Sequence, residues 1–391
     1  MNGRKRLLTV LNGERADRIP VTAFIQGQGH FITQVKPETD PWDFIAIQKD
    51  VIDYQKSLGL DVHARMLFFN PHKPVFAFCG HLNVDVQTEN WEVTHKEEKN
   101  GNTILHKYEI KTPEGSLKQT FSINELRPKT YMYACTEKPI NGPDDLKIAM
   151  KYEPSCSDEI KGEMKKNVGI VKAEIGDSGI LSAWTNGGLF NNISGFIDAN
   201  VLYSIFLLDP GYYGDLMAFA KKRVVDFTDA IIQAGVDALC VGGNVAGGFL
   251  GANCFDEYIR PHEVEYISHI QDQGKPVIYH NCGAIMGLIE PYKKMGIKNI
   301  EPFSPEPLGD GDLEMLATRM KGEFTVTGGI DQVNIIQGGT VADVERVTLD
   351  TISRGKKFDR YILQNADFLE YGTPLENVEA YARTGLAHAE Y

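Results

Sequence analysis

No run of apolar residues in this 391-residue sequence approaches the length of about 20 that a bilayer-spanning helix needs. The opening Met1-Asn2-Gly3-Arg4-Lys5-Arg6 is basic, but neither a long apolar stretch nor a small-residue cleavage site follows, which argues against a secretory leader. A cytoplasmic address is the expectation. Positive charge is in deficit, with a formal net charge of −13, so nucleic acid and anionic membrane are disfavoured as partners. Cysteine is sparse: Cys79, Cys135, Cys156, Cys240, Cys254 and Cys282 are scattered and form no disulfide framework. No segment repeats, and composition excludes collagen, coiled coil and disorder. The glycine pairs 242–243 and 328–329 have neither the spacing nor the lysine of a phosphate loop.

What is present is a globular composition, 42% hydrophobic and 24% charged, ample for a large core. Short β-rich apolar runs alternate with helix-period stretches. Eight runs read as strands: Ile19–Ile25, Asp61–Phe69, Gly169–Ile175, Ala238–Gly242, Pro276–Tyr279, Lys298–Phe303, Phe324–Thr327 and Tyr361–Gln364. Helical stretches include Gly214–Ala234, Phe255–Gln273, Ala284–Met295 and Val341–Arg354. Such alternation predicts a parallel sheet, and eight units predict a (β/α)8 TIM barrel, an α/β fold, as one domain over 1–391. An open doubly wound sheet is the alternative. Asn83–Ile123 departs from the pattern, alternating polar with β-branched and aromatic residues around Lys99-Asn100-Gly101-Asn102 and Pro113-Glu114-Gly115. Two antiparallel hairpins are expected there, as an insertion after strand two that runs on through a linker to about Ser157. A second departure is the apolar, helical segment Trp184–Asp209.

The chemistry centres on Tyr279-His280-Asn281-Cys282-Gly283. His280 and Cys282 are two apart on an extended segment, so their side chains share a face. They end a strand, where barrel enzymes carry their catalytic groups. An imidazole and a thiolate are favoured zinc ligands, although H-x-C also occurs by chance and a buried histidine with a core thiol is the plain alternative. Glu301 ends the next strand, one strand spacing away (~5 Å), and is a candidate third ligand. Three protein ligands with one open position is the pattern of catalytic zinc. Glu174, Asp177 and Asn244 are expected at the same face as catalytic candidates, Glu174 or Asp177 as an acid or as support for a ligand. Asn365 and Asp367 follow strand eight.

Five segments together resemble the uroporphyrinogen decarboxylase superfamily. They are Asp17-Arg18-Ile19-Pro20-Val21, Leu58-Gly59-Leu60-Asp61, Thr112-Pro113-Glu114-Gly115, His280-Asn281-Cys282-Gly283 and Thr373-Pro374-Leu375-Glu376-Asn377. The H-x-C-G signature is similar to that of the superfamily's zinc-dependent, corrinoid-linked methyltransferases. The resemblance implies a zinc cofactor, a partner protein carrying a corrinoid, and a small methylated substrate. In the branch that methylates coenzyme M, a cysteine ligand precedes the last motif. Here that stretch reads Gln364-Asn365-Ala366-Asp367-Phe368-Leu369-Glu370, with no cysteine and with Asp367 near its place. The harder ligand set shifts the expected substrate from a thiol towards a methoxy compound or a methylamine. Three other readings stand beside this one: a metal-free decarboxylase, a non-catalytic corrinoid- or metal-binding protein, and a barrel hydrolase. The Gln26-Gly27-Gln28-Gly29-His30 segment lacks the arginines a polycarboxylate would need.

Overall fold

Eleven strands fall into two sheets in a computed structural model describing residues 1–26, 30–68, 81–185, 187–320 and 322–391, apart from the side chains of 244–247. They are β1 (Val62–Met66), β2 (Glu92–Asn100), β3 (Thr103–Thr112), β4 (Gly115–Arg127), β5 (Thr130–Glu137), β6 (Gly179–Trp184), β7 (Ala238–Gly242), β8 (Val277–His280), β9 (Asn299–Phe303), β10 (Thr325–Ile330) and β11 (Tyr361–Asn365). The first sheet has seven strands in the order β1-β6-β7-β8-β9-β10-β11, and every pairing is parallel. β1, β7, β8, β9, β10 and β11 are buried throughout, as strands covered on both faces are. Helices separate the strands, as parallel connections require.

Seven strands, where eight were expected, reflect two local departures. Ile19–Ile25 is not a strand: Val21 makes a single parallel bridge to Leu363. Pro20 has no N–H to donate, and the Val21 N–H is taken by the Asp61 carboxylate at 3.0 Å. The segment nevertheless lies between the sheet's edges. Thr22 N and the Pro20 carbonyl bond to Leu363 of β11, while Asp61 N, at the start of β1, bonds to the Val21 carbonyl. Gly169–Ile175 is likewise not a strand. It ends the helix Asp158–Ile175, whose Met164, Val168, Val171 and Ile175 form a buried stripe at helical spacing. Ser157 caps its start, accepting from Ile160 N, and Gly176 ends it at φ +56°. The strand that follows is β6.

Inside the curled sheet, side chains lie in layers. Ile180, Ala238, Ile278 and Ile362 pack against Leu7, Val10 and Leu11 of the helix Gly3–Leu11, beneath the strands' N-terminal ends. The paired glycines are packing devices. A Cβ on Gly328 would lie 2.6 Å from the Phe303 backbone, at the register shift between β9 and β10, and one on Gly243 would lie 2.4 Å from the Tyr279 ring.

The insertion after β1 is one four-stranded antiparallel meander, β2-β3-β4-β5, rather than two hairpins. Two of its turns fall where expected, at Gly101-Asn102 and Pro113-Glu114. The stretch expected to be a linker contains the helix Pro143–Tyr152. Leu82, Trp91, Ile110 and Leu117 join the insertion to the main core, and Arg127 Nη1 bonds to the Tyr371 carbonyl beyond β11. Trp184–Asp209 contributes the end of β6 and the helices Leu189–Ile193 and Ala199–Leu208. Among the described residues, no helix is long and apolar enough to cross a membrane.

One buried acid makes a stability prediction. Glu263, on the helix Arg260–Asp272, is 1% exposed. One oxygen accepts from Phe190 N at 3.4 Å, and among the described residues the other has no hydrogen-bond partner. Burial pushes its pKa up to about 7, from about 4.5 for an exposed glutamate. The folded state therefore holds this proton more tightly than the unfolded chain. The associated stability is complete below about pH 4.5 and is lost as pH rises through 7. The loss amounts to about 3 kcal/mol. Glu263→Gln should abolish it: relative to wild type, the variant should gain about that much between pH 5 and 8 in urea unfolding. Parallel stability–pH curves would refute the assignment.

Candidate metal centre

Register places the central residues. His280 ends β8 opposite Glu301 of β9, and β11 ends at Asn365, two residues before Asp367. All three strands run parallel, so these residues meet at the sheet's C-terminal end. Gly283 follows at φ +98°, a backbone conformation open to glycine, and turns the chain away beyond Cys282. One ligand atom each from His280, Cys282 and Asp367 lie within 4.8 Å of one another. His280 is buried, and Cys282 and Asp367 are partly exposed. Asn365 fixes the floor around them: its Oδ1 accepts from Phe24 N at 2.8 Å, and its Nδ2 donates to the carbonyls of Phe24 and Asp367.

Glu301, expected as a ligand, is engaged elsewhere. Its two oxygens accept from Nη1 and Nη2 of Arg65 at 2.7 Å each, and both side chains are fully buried. Its Oε1 also lies 3.5 Å from His280 Nδ1. The reason is tertiary: Arg65 comes from β1, far from β9 in sequence, and sits inside the sheet with His63 one alternation below. Arg65 Nη2 further contacts His63 Nδ1 at 3.0 Å and donates to Gln364 Oε1 at 2.8 Å. The guanidinium stacks on Phe24 at 4.2 Å, and His63 Nε2 meets Ser182 Oγ at 2.8 Å.

The electrostatics follow from these contacts. Burial opposes the charged form of Glu301, but the Arg65 charge, the hydrogen bond from His280 and the neighbouring histidines together outweigh it and hold the carboxyl well below the usual range. Burial and the Arg65 charge push His63 down to about 3, so it is neutral. Burial also works against a charged His280, yet its hydrogen bonds to Cys282 and Glu301 and the nearby Asp367 charge raise it to about 9. Burial raises the Asp367 pKa.

Aromatic rings wall the cluster. Trp184 meets His280 edge-on at 4.9 Å between centroids, Phe24 does so at 6.0 Å, and Phe368 packs against Phe24 at 6.3 Å. His30 lies 4.9 Å from Phe368.

The other expected site residues are not brought here. Glu174 is in the last turn of the helix Asp158–Ile175, and Asp177 is exposed in the turn before β6. Both lie at the N-terminal end of the sheet, opposite the cluster, because the segment read as strand three is helix. Asn244 begins the helix Asn244–Cys254 directly after β7, and its side chain lies outside the described residues, as do residues 27–29. Sequence reasoning missed Arg65, His63, Gln364, Phe24 and Trp184. The signal available was β1 itself, where His63 and Arg65 alternate within a run that is otherwise apolar.

The donor set fits zinc. Imidazole, thiolate and carboxylate are its ordinary ligands, three from protein is the catalytic number, and a carboxylate behind the histidine is the usual support.

A model of the uroporphyrinogen decarboxylase (URO-D) family matches residues 132–385. The whole fold is similar to that of a methyltransferase from Methanosarcina mazei, with a TM-score of 0.69, 15% identity and 98% of each chain covered. At that identity the likeness is one of fold. A mandelate racemase/muconate lactonizing enzyme-like protein from Rubrobacter xylanophilus DSM 9941 aligns loosely, with a TM-score of 0.27, 12% identity, and 76% of this chain and 83% of that one covered. No curated protein matches the sequence.

Proposed function

We propose, for a chain that belongs to the uroporphyrinogen decarboxylase family, that it is a zinc-dependent methyltransferase moving a methyl group between a small methylated substrate and a corrinoid protein. The observation carrying this reading is the convergence of His280, Cys282 and Asp367 at the mouth of the parallel sheet. In the same reading, the segment Pro20–Phe24, bonded to both sheet edges, serves as the eighth stave of a (β/α)8 barrel.

His280, Cys282 and Asp367 would hold the zinc. A bound zinc supplies Lewis acidity to the heteroatom that the methyl group leaves. The chain's own residues prepare that chemistry. Glu301 faces His280 Nδ1 at 3.5 Å and would help to fix the ring. Arg65 in turn fixes Glu301. Phe24, Trp184 and Phe368 make the approach apolar, which keeps water from a transferring methyl group. Asp367 in place of a second thiolate makes the donor set harder, so a departing oxygen or nitrogen is favoured over sulfur. A methoxy compound or a methylamine is the substrate class, with O-demethylation preferred. Arg65 is neutralised by Glu301 and not free to receive substrate carboxylates, which weighs against a decarboxylase of polycarboxylates.

The test is methylation of a reduced corrinoid protein by the purified, zinc-loaded chain, followed by the absorbance change from Co(I) to methyl-Co(III). A panel of methoxyaromatic compounds and methylamines serves as donors. Turnover with at least one donor, absent in His280→Ala, is expected. Failure with every donor, or release of carbon dioxide from a porphyrinogen, would sink the reading.

A further inference from the structure

Glu301 stands where a metal ligand could stand. It pairs with His280 across β8 and β9, and its Oε1 lies 3.5 Å from His280 Nδ1. A buried carboxylate beside a histidine that would hold the metal could turn toward the same ion once released, and carboxylate oxygen is an ordinary zinc donor. Yet both oxygens are committed to Arg65 at 2.7 Å each. Arg65 is itself held on several sides: by His63 Nδ1 at 3.0 Å, by Gln364 Oε1 at 2.8 Å and by the Phe24 ring at 4.2 Å. A bidentate guanidinium–carboxylate pair fixes both oxygens in direction as well as charge.

We infer that Arg65 is a positioning residue that withholds the Glu301 carboxylate from the metal and thereby keeps one coordination position of the His280–Cys282–Asp367 site open to an incoming ligand. Without Arg65, Glu301 is a buried carboxylate lacking its counter-charge, and a metal beside His280 is the positive charge it can turn to. A fourth protein ligand would then convert an open site into a closed one, the difference between catalytic and structural zinc. This inference rests on the zinc reading above.

Cobalt(II), a spectroscopic substitute for zinc, separates the two questions. Wild type, Arg65→Met, Arg65→Lys and the double variant Arg65→Met/Glu301→Gln are loaded with cobalt and titrated with imidazole, followed through the visible d–d bands. In wild type, imidazole should enter the open position and shift the bands. In Arg65→Met, at least about tenfold more imidazole should be needed, because an internal carboxylate competes at high effective concentration. The double variant should recover the wild-type titration, since a neutral amide is a poor ligand. Arg65→Lys keeps the charge but grips fewer oxygens, so it should fall between wild type and Arg65→Met. It is read alone if Arg65→Met does not fold. An Arg65 variant that titrates like wild type, or a double variant that does not recover, overturns the inference. Failure of wild type to take up cobalt or zinc overturns the metal reading itself, and that result is visible before any variant is made.

Discussion

His280→Ala and Cys282→Ser should each purify without stoichiometric zinc, where the wild type should carry about one ion per chain. The binding free energy of protein zinc sites, on the order of 10–16 kcal/mol for structural ones, is shared among only a few ligands. Losing one of three therefore forfeits several kcal/mol, on the order of a thousandfold or more in affinity. Asp367→Ala belongs in the same class, because its carboxylate is the third member of the cluster within 4.8 Å. Glu301→Gln should behave differently. Glu301 is tied to Arg65 and touches only the ligand histidine, so its loss should weaken zinc by about 10- to 100-fold, the usual range for a supporting group. Elemental analysis after dialysis against a graded series of chelators distinguishes the two classes. If Glu301→Gln empties the site while Asp367→Ala keeps its metal, the ligand set drawn from the geometry is wrong.

The second large effect concerns how the sheet's edges are held. Asp61 is 3% exposed at its side chain and pairs with Arg6 at 2.5 Å and Arg18 at 2.9 Å. The same carboxylate accepts from Val21 N at 3.0 Å, the bond that stands in for a missing strand ladder. Asp61→Ala would strand the buried Arg6 guanidinium on that side and leave Val21 N without its acceptor. Breaking such a buried pair costs about 3–5 kcal/mol, and the lost backbone bond adds about 1 kcal/mol. Urea unfolding should show the midpoint falling sharply while the slope stays constant. A loss under about 1 kcal/mol would mean that the backbone bonds of Pro20–Phe24 to Leu363 and to residue 61 hold the segment without the Asp61 carboxylate.

Several elements were legible in the sequence for identifiable reasons. β7, β8, β9 and β11 were read nearly to their ends, and β10 was read short by Gly328–Ile330, because strands buried on both faces are short runs with few polar breaks and the paired glycines read as a turn. The helix Val341–Gly355 was legible from its helix-period spacing, and the structure adds a Thr340–Asp343 capping box at its start. The resemblance to the URO-D superfamily, carried on five short segments, agrees with the family match over residues 132–385. Other elements were misread where two patterns compete. Val168, Val171 and Ile175 are apolar and partly β-branched, so a short window reads strand, whereas the longer stripe from Met164 and the Ser157 cap decide for helix. That one error carried Glu174 and Asp177 to the wrong end of the sheet. The meander was under-read because the turn between β4 and β5 uses Lys129 at φ +62°, a position usually marked by glycine or asparagine.

What the sequence alone determined is the local part of the site. His280 and Cys282 share a face because side chains alternate along an extended chain, and Gly283 lets the chain turn after them. Those facts depend on neighbours within a few residues. Which carboxylate joins them was decided only by tertiary structure. Glu301 and Asp367 were both candidates at strand ends, and nothing nearby in sequence separates them. Arg65, some 236 residues from Glu301, separates them by taking both oxygens of one and leaving the other to face His280 and Cys282. A buried carboxylate must find a counter-charge, and where the nearest one lies is a property of the folded sheet and not of the chain.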